Sequence, residues 1–402
     1  ICRAHFSVLS KIPSAGTYAP YSRLGWLFPV EFRGSVTIVL PKLHEQLGPL
    51  IRISPREVSF YSIEVYDLVH KVGSKFQKDP RVYGEFVQGE NPALFSITDP
   101  GEHSKRRRMM GQLYNKSKID KLQELMQLHI ARWLEAARRR PSGFDVVPAC
   151  RALEADIISD FSLGTPIGAL DAWMEGKELG MVSKNDEKAT WMPPLLTHIL
   201  WALAHNPKYQ EELYHNLSKA GYPSDIASLE TVPKLVACVK EGIRWAGAAA
   251  AMLPRVVPPG GIDLHGSFIP EGTVLVSSPI WYLRDPGAFP MPEYYDPYRW
   301  LTPDGSALSE DQERDRFFIP FSKGPNVCIG RHFSFYELYL SVSQTVQFCR
   351  IQRPENGTFS PNLKTTNSME RNWNVVELPA RKEWVAACVT EDLNVVLKDR
   401  KD

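Results

Sequence analysis

One short stretch near the C-terminal end, Phe321-Ser322-Lys323-Gly324-Pro325-Asn326-Val327-Cys328-Ile329-Gly330, narrows the folding options of this chain more than any other. It sets a cysteine between glycines, directly before a long helical pattern from His332 to Arg350. In a chain of this composition Phe-x-x-Gly-x-x-x-Cys-x-Gly arises by chance on the order of once in a thousand sequences. Glycine takes positive φ and lets a backbone approach a flat cofactor closely. Main-chain amides at a helix start can point at a sulfur and stabilise its negative charge. Phe321 can pack on the near side of such a cofactor. A thiolate so placed can serve as the axial ligand of haem iron, where it donates electron density and favours cleavage of bound oxygen. The plainer alternative is a buried free cysteine in a glycine-rich turn.

The rest of the chain is that of an ordinary globular protein. Of 402 residues, 43% are apolar and 11% aromatic, enough to offset the entropy of ordering and to exclude disorder. Length alone suggests two or three domains. The 32 prolines exceed the usual share of about 5% and predict many rigid turns. A formal charge of +1 gives no reason to expect nucleic acid as a partner. The runs Arg106-Arg107-Arg108 and Arg138-Arg139-Arg140 are balanced by acids elsewhere, and the second reads as a solvated helix face. Six cysteines, Cys2, Cys150, Cys238, Cys328, Cys349 and Cys388, are far apart and form no C-x-x-C pair. That spacing argues against a zinc site and a disulfide scaffold and fits a reducing environment. No window holds the roughly 18 apolar residues that span a bilayer.

Residues 1–35 are rich in proline, glycine and aromatics and read as irregular. Ile51-Arg52-Ile53 and Val58-Ser59-Phe60 alternate apolar and polar residues and predict two short strands. From Ser117 to Arg140 a helical period aligns Leu122, Met126, Ile130 and Trp133 on one face. Residues 150–163 continue helically until Gly164-Thr-Pro-Ile-Gly168 breaks the pattern. Helices follow over Thr197–Ala204, Tyr209–Lys219 and Lys234–Trp245, then a small hairpin sheet over Pro254–Val276. The final 40 or so residues read as strands and loops. The fold class is therefore mainly α with small β-sheets.

The cysteine segment resembles the haem-binding loop of the cytochrome P-450 family. Two further matches stand in the family's order. Glu241-Gly242-Ile243-Arg244 resembles its Glu-x-x-Arg helix, and Asp296-Pro297-Tyr298-Arg299-Trp300 is similar to its Pro-x-Arg-Trp element. The resemblance implies a cytochrome P-450-like fold over 1–402 as a single domain, with a buried structural triad of Glu241, Arg244 and Arg299. It implies haem b, iron protoporphyrin IX, with Cys328 as the axial metal ligand and Phe321, Gly324 and Gly330 beside it. It also implies that Arg255, in Leu253-Pro254-Arg255, and His103 with Arg107, four residues apart, hold the haem carboxylates. The family usually has arginine or histidine where this chain has Asn326, which removes one expected carboxylate partner.

The resemblance covers roughly residues 40–165 and 197–400 and leaves residues 165–196 as a shortened, divergent segment. Family members place several distal helices there, including one carrying Ala-Gly-x-(Asp/Glu)-Thr. No such acid–threonine motif occurs in this segment; Asp186, Glu187 and Thr190 are the nearest candidates, and Pro193-Pro194 would interrupt a helix. No catalytic residue is therefore assigned. The resemblance, closest to fungal members, implies an oxidoreductase that inserts one atom of O2 into an apolar small molecule, in secondary-metabolite biosynthesis. Its electrons would come from NADPH through a cytochrome reductase, which Lys323 and Arg331 beside the cysteine loop would help to dock. The loss of the distal segment motivates two alternatives: a haem-thiolate protein catalysing dehydration or rearrangement, or an inactive truncated remnant. The chain begins with Ile1; with an anchor preceding it, the expected location is the cytoplasmic face of the endoplasmic reticulum membrane, otherwise the cytoplasm.

Overall fold

The structure, a computed structural model, describes residues 2–87, 92–115, 118, 122–180, 182, 195–247, 249–310, 312–355, 364–365 and 374–400. Helices dominate. Those that position the site are α1 (Val36–Leu47), α2 (Ile63–His70), α3 (Pro100–Gly111), α4 (Gln123–Arg138), α5 (Val146–Leu163), α6 (Leu195–Ala204), α7 (Pro207–Lys219), α8 (Pro233–Ala246) and α9 (Arg331–Phe348). No described helix is long and apolar enough to cross a membrane.

Local signals explain where several of these begin and end. Asp99 accepts from the Glu102 amide at 2.7 Å and Pro100 occupies the first turn, fixing the start of α3. Ser62 does the same for α2, and Asp145 for α5. Gly164 ends α5 in the left-handed region, as its place after the periodic residues predicts.

The largest core is built from α4, α5, α6, α7, α8 and α9, with Ile130, Trp133, Leu153, Leu200, Val239 and Leu340 all sealed from solvent. A second layer is a five-stranded sheet. Its strands are β1 (Leu50–Ser54), β2 (Glu57–Phe60), β3 (Gln77–Lys78), β4 (Arg255–Val256) and β5 (Val274–Val276), in the order β1-β2-β5-β4-β3. Strands β2 and β5 run parallel; the other pairs are antiparallel. A hairpin of β6 (Arg381–Glu383) and β7 (Ala387–Val389) packs near the N-terminal segment.

One expectation changes, and two others gain detail. Residues 1–35 contain helical turns at Cys2–Phe6, Val8–Lys11, Arg23–Gly25 and Leu27–Phe32 rather than purely irregular chain. Strand β1 is buried throughout, Arg52 included. Its guanidinium reaches the carbonyls of Ala4, Ser54 and Pro55, so a charge that alternation would turn outward is satisfied inside. Of the helix expected over Ser117–Arg140, Gln123–Arg138 forms α4, while residues 117 and 119–121 lie outside the described residues.

Candidate functional site

Cys328 lies in the connection between a single 3-10 turn, Gly324–Asn326, and the start of α9. Its amide donates to the Phe321 carbonyl at 2.9 Å, which closes the loop into a tight bend. Gly330 stands at the N-cap of α9, and its N–H hydrogen-bonds the Cys328 sulfur. The side chain of Cys328 is open to solvent, whereas Cys150, Cys238 and Cys349 are buried. Burial of the site within the surrounding protein nonetheless pushes the thiol up, against the pull of the Gly330 amide and the Arg107 charge. An exposed cysteine whose thiolate is favoured by a main-chain amide and by a nearby guanidinium charge suits a metal ligand better than a cysteine buried in a packed turn.

The loop is held from below. Phe321 packs on Phe335 of α9 with ring centroids 5.5 Å apart. The Ser322 hydroxyl meets the Tyr66 hydroxyl at 3.0 Å, and Lys323 pairs with Asp67 at 2.5 Å. Lys323 is thus committed to an internal ion pair, which leaves exposed Arg331 as the basic residue flanking the cysteine on the outer side.

A cluster of cations stands beside this loop. Residues His103 and Arg107 are one turn apart on α3, His103 buried and Arg107 half-buried. Arg255 is 2% exposed and donates to the Tyr83 hydroxyl at 2.7 Å and the Pro254 carbonyl at 2.9 Å. Sequence reasoning missed a fourth member, Lys78, which the strand pairing sets in register opposite Arg255. Its ammonium donates to the carbonyls of Phe95 at 2.8 Å and Ile97 at 3.1 Å. Burial, then the charges of Arg255 and Arg107, push Lys78 down to about 7. His103 falls to about 4 through burial and the charges of Lys78, Arg107 and Arg255. Among the described residues, no carboxylate pairs with Lys78, Arg107 or Arg255, although most other half-buried arginines have one. Buried cations without a counter-ion are costly. A flat group bearing two carboxylates and an iron that accepts sulfur fits this donor set. Asn326 lies in the adjacent turn and brings no charge.

Behind the site, Glu241 and Arg244 are fully buried and pair at 2.7 Å. Arg299 reaches the same carboxylate at 3.1 Å, and the Trp300 indole and the Asp296 amide donate to it at 3.0 and 2.9 Å. Arg244 also bonds the carbonyls of Leu283, Pro292 and Tyr294. Burial pushes the Glu241 carboxyl up, but Arg244 and Arg299 outweigh it and leave it below the ordinary range. This network fastens α8 to the 290–300 segment. Asp186, Glu187 and Thr190 lie outside the described residues.

The family model for cytochrome P-450 matches residues 190–373. A cytochrome P-450 monooxygenase of Penicillium terrestre is 24% identical, over 93% of this chain and 91% of the relative. One from Botryotinia fuckeliana is 23% identical, over 85% of each chain. A tryptophan 6-hydroxylase of Fusarium equiseti is 22% identical over 85% of this chain and 86% of its own length. The first alignment runs to 487 positions, so more than a hundred of them have no counterpart in 402 residues.

Proposed function

The chain belongs to the cytochrome P-450 family, and from that premise we propose that it is a haem-thiolate monooxygenase acting on an apolar small molecule of secondary metabolism. The observation that carries the reading is exposed Cys328 beside cations that have no carboxylate partner among the described residues. Cys328 would hold the iron, and Arg107, Arg255, Lys78 and His103 would receive the haem carboxylates. Haem, when bound, supplies the iron centre at which dioxygen is activated.

The protein's own contribution is positional and electrostatic. The Gly330 amide favours the thiolate over the thiol, as does the Arg107 charge. The 3-10 turn and α9 fix where the sulfur points. The hydrogen bond that Arg255 already makes to Tyr83 holds its guanidinium in place, where it would receive a haem carboxylate. Electrons would come from NADPH through a partner reductase, with exposed Arg331 on the cysteine side available to an acidic surface.

A second reading, dehydration or rearrangement on the same haem without oxygen insertion, draws on the positions of the Penicillium alignment that this chain leaves empty. An inactive remnant draws on the same gap. Reductase-coupled turnover against a panel of apolar small molecules separates them. Oxygenated product formed with NADPH consumption supports the monooxygenase. Conversion that is indifferent to NADPH supports the second reading, and haem binding with no conversion supports the third.

A further inference from the structure

A cavity of about 210 Å³ opens between the N-terminal segment, residues 82–86 with Phe95, the 251–254 loop and the β6–β7 turn. Most of its wall is apolar, supplied by Leu27, Phe86, Phe95, Met252, Leu253 and Val385. One end is charged. There Arg23 lies between two carboxylates, Glu57 at 2.7 Å and Glu31 at 2.9 Å. The side chains of Arg23 and Glu31 are 41% and 33% exposed, so the pair sits at the mouth. Glu57 is 4% exposed; its Oε1 takes the Arg23 bond and its Oε2 has no hydrogen-bond partner among the described residues.

Among the described residues the charges at this end do not balance. One guanidinium serves two carboxylates, and the neighbouring Arg81 is held by Asp79 at 2.6 Å. Glu383, which also lines the cavity, is matched separately by Arg284, Arg381 and Thr37. Burial, ahead of the Arg23 charge, raises Glu31, with Glu57 adding to the rise. An apolar chamber that ends in one uncompensated negative charge, with a buried carboxylate oxygen left unbonded, favours a ligand that brings a positive charge.

We propose that this cavity receives an apolar molecule carrying one protonated amine, and that Glu57, with Glu31 at the rim, selects it. The proposal rests on the haem-thiolate reading only in making that molecule a substrate. The binding itself is a property of these walls. Arg23 is the side chain that yields, since it is the exposed partner and can swing outward while Glu57 stays in place.

Calorimetry on the full chain, with and without added haem, tests this using 4-phenylbutylamine, 4-phenylbutanoate and butylbenzene as probes. The amine should bind at least about tenfold more tightly than the carboxylate, the size of one charge-assisted hydrogen bond. Glu57→Gln should bring the amine down to the level of butylbenzene and leave butylbenzene unchanged. Should Glu57→Gln not fold, as thermal unfolding would reveal, Glu31→Gln at the exposed rim decides through a selective loss of amine affinity. Equal affinities for amine and carboxylate, a preference for the carboxylate, no binding at all, or an amine affinity unmoved by the substitution would each overturn the proposal. None of those results touches the haem reading, which the thiolate spectrum tests separately.

Discussion

The α-carbon of Gly324 sits so close to the main chain of α2 that a Cβ on residue 324 would lie 1.8 Å from the carbonyl oxygen of His70. Gly324 also has φ +66°, in the left-handed region. Helix α2 is thereby clamped to the cysteine loop, and the Tyr66–Ser322 and Lys323–Asp67 contacts reinforce the clamp.

Gly324→Ala therefore meets two penalties. The left-handed backbone costs an alanine about 1–2 kcal/mol, and the collision is with a backbone oxygen that cannot rotate away. We expect a total loss of about 3 kcal/mol or more in denaturant unfolding, together with weaker haem uptake as the loop shifts. A variant that unfolds like the parent would show that the loop and α2 are not coupled.

Removing the charge of Glu241 leaves Arg244 buried with half of its pairing gone. Glu241→Gln should cost about 3–5 kcal/mol in urea unfolding, the range for breaking a buried pair from one side. Arg139→Ala, which removes the surface pair of Arg139 with Glu135, should change stability by no more than about 0.5 kcal/mol. Similar small losses in both variants would mean that the triad contributes little.

Lys78 gives haem affinity a pH dependence of defined sign. The ammonium attracts a carboxylate only while protonated, and burial with the Arg255 and Arg107 charges holds it near 7 in the haem-free chain. The part of the affinity that Lys78 supplies should therefore fall as pH rises from 6 to 9, by at most about tenfold per unit, against the opposite slope that thiol deprotonation at Cys328 contributes in both proteins. Lys78→Met should remove that fall. Haem titrations that show the same slope in both proteins would remove Lys78 from the site.

How much of this was legible beforehand depended on how far apart in sequence the partners stand. The cysteine loop is local and legible in its own spacing, whereas Glu241–Arg244 and Asp296–Trp300 stand out only through the family resemblance, since a lone Glu-x-x-Arg arises readily by chance. Lys78 carried no such signal. It becomes a neighbour of Arg255 only when β3 and β4 pair. Tyr83 was hidden for the same reason. The alternation at Ile51-Arg52-Ile53 gives the strand but not the burial of Arg52, because main-chain carbonyls, invisible to a hydropathy pattern, satisfy it inside. The Arg23–Glu31–Glu57 network lay beyond reach because it joins the proline-rich opening segment to a strand of the sheet.

The most direct test is the Soret band of the chain supplied with haem, reduced and exposed to carbon monoxide, recorded for the parent and for Cys328→Ser. A red-shifted thiolate band in the parent that disappears in the serine variant is the predicted result. A parent that binds haem without that band, or a serine variant that keeps it, would contradict ligation through Cys328.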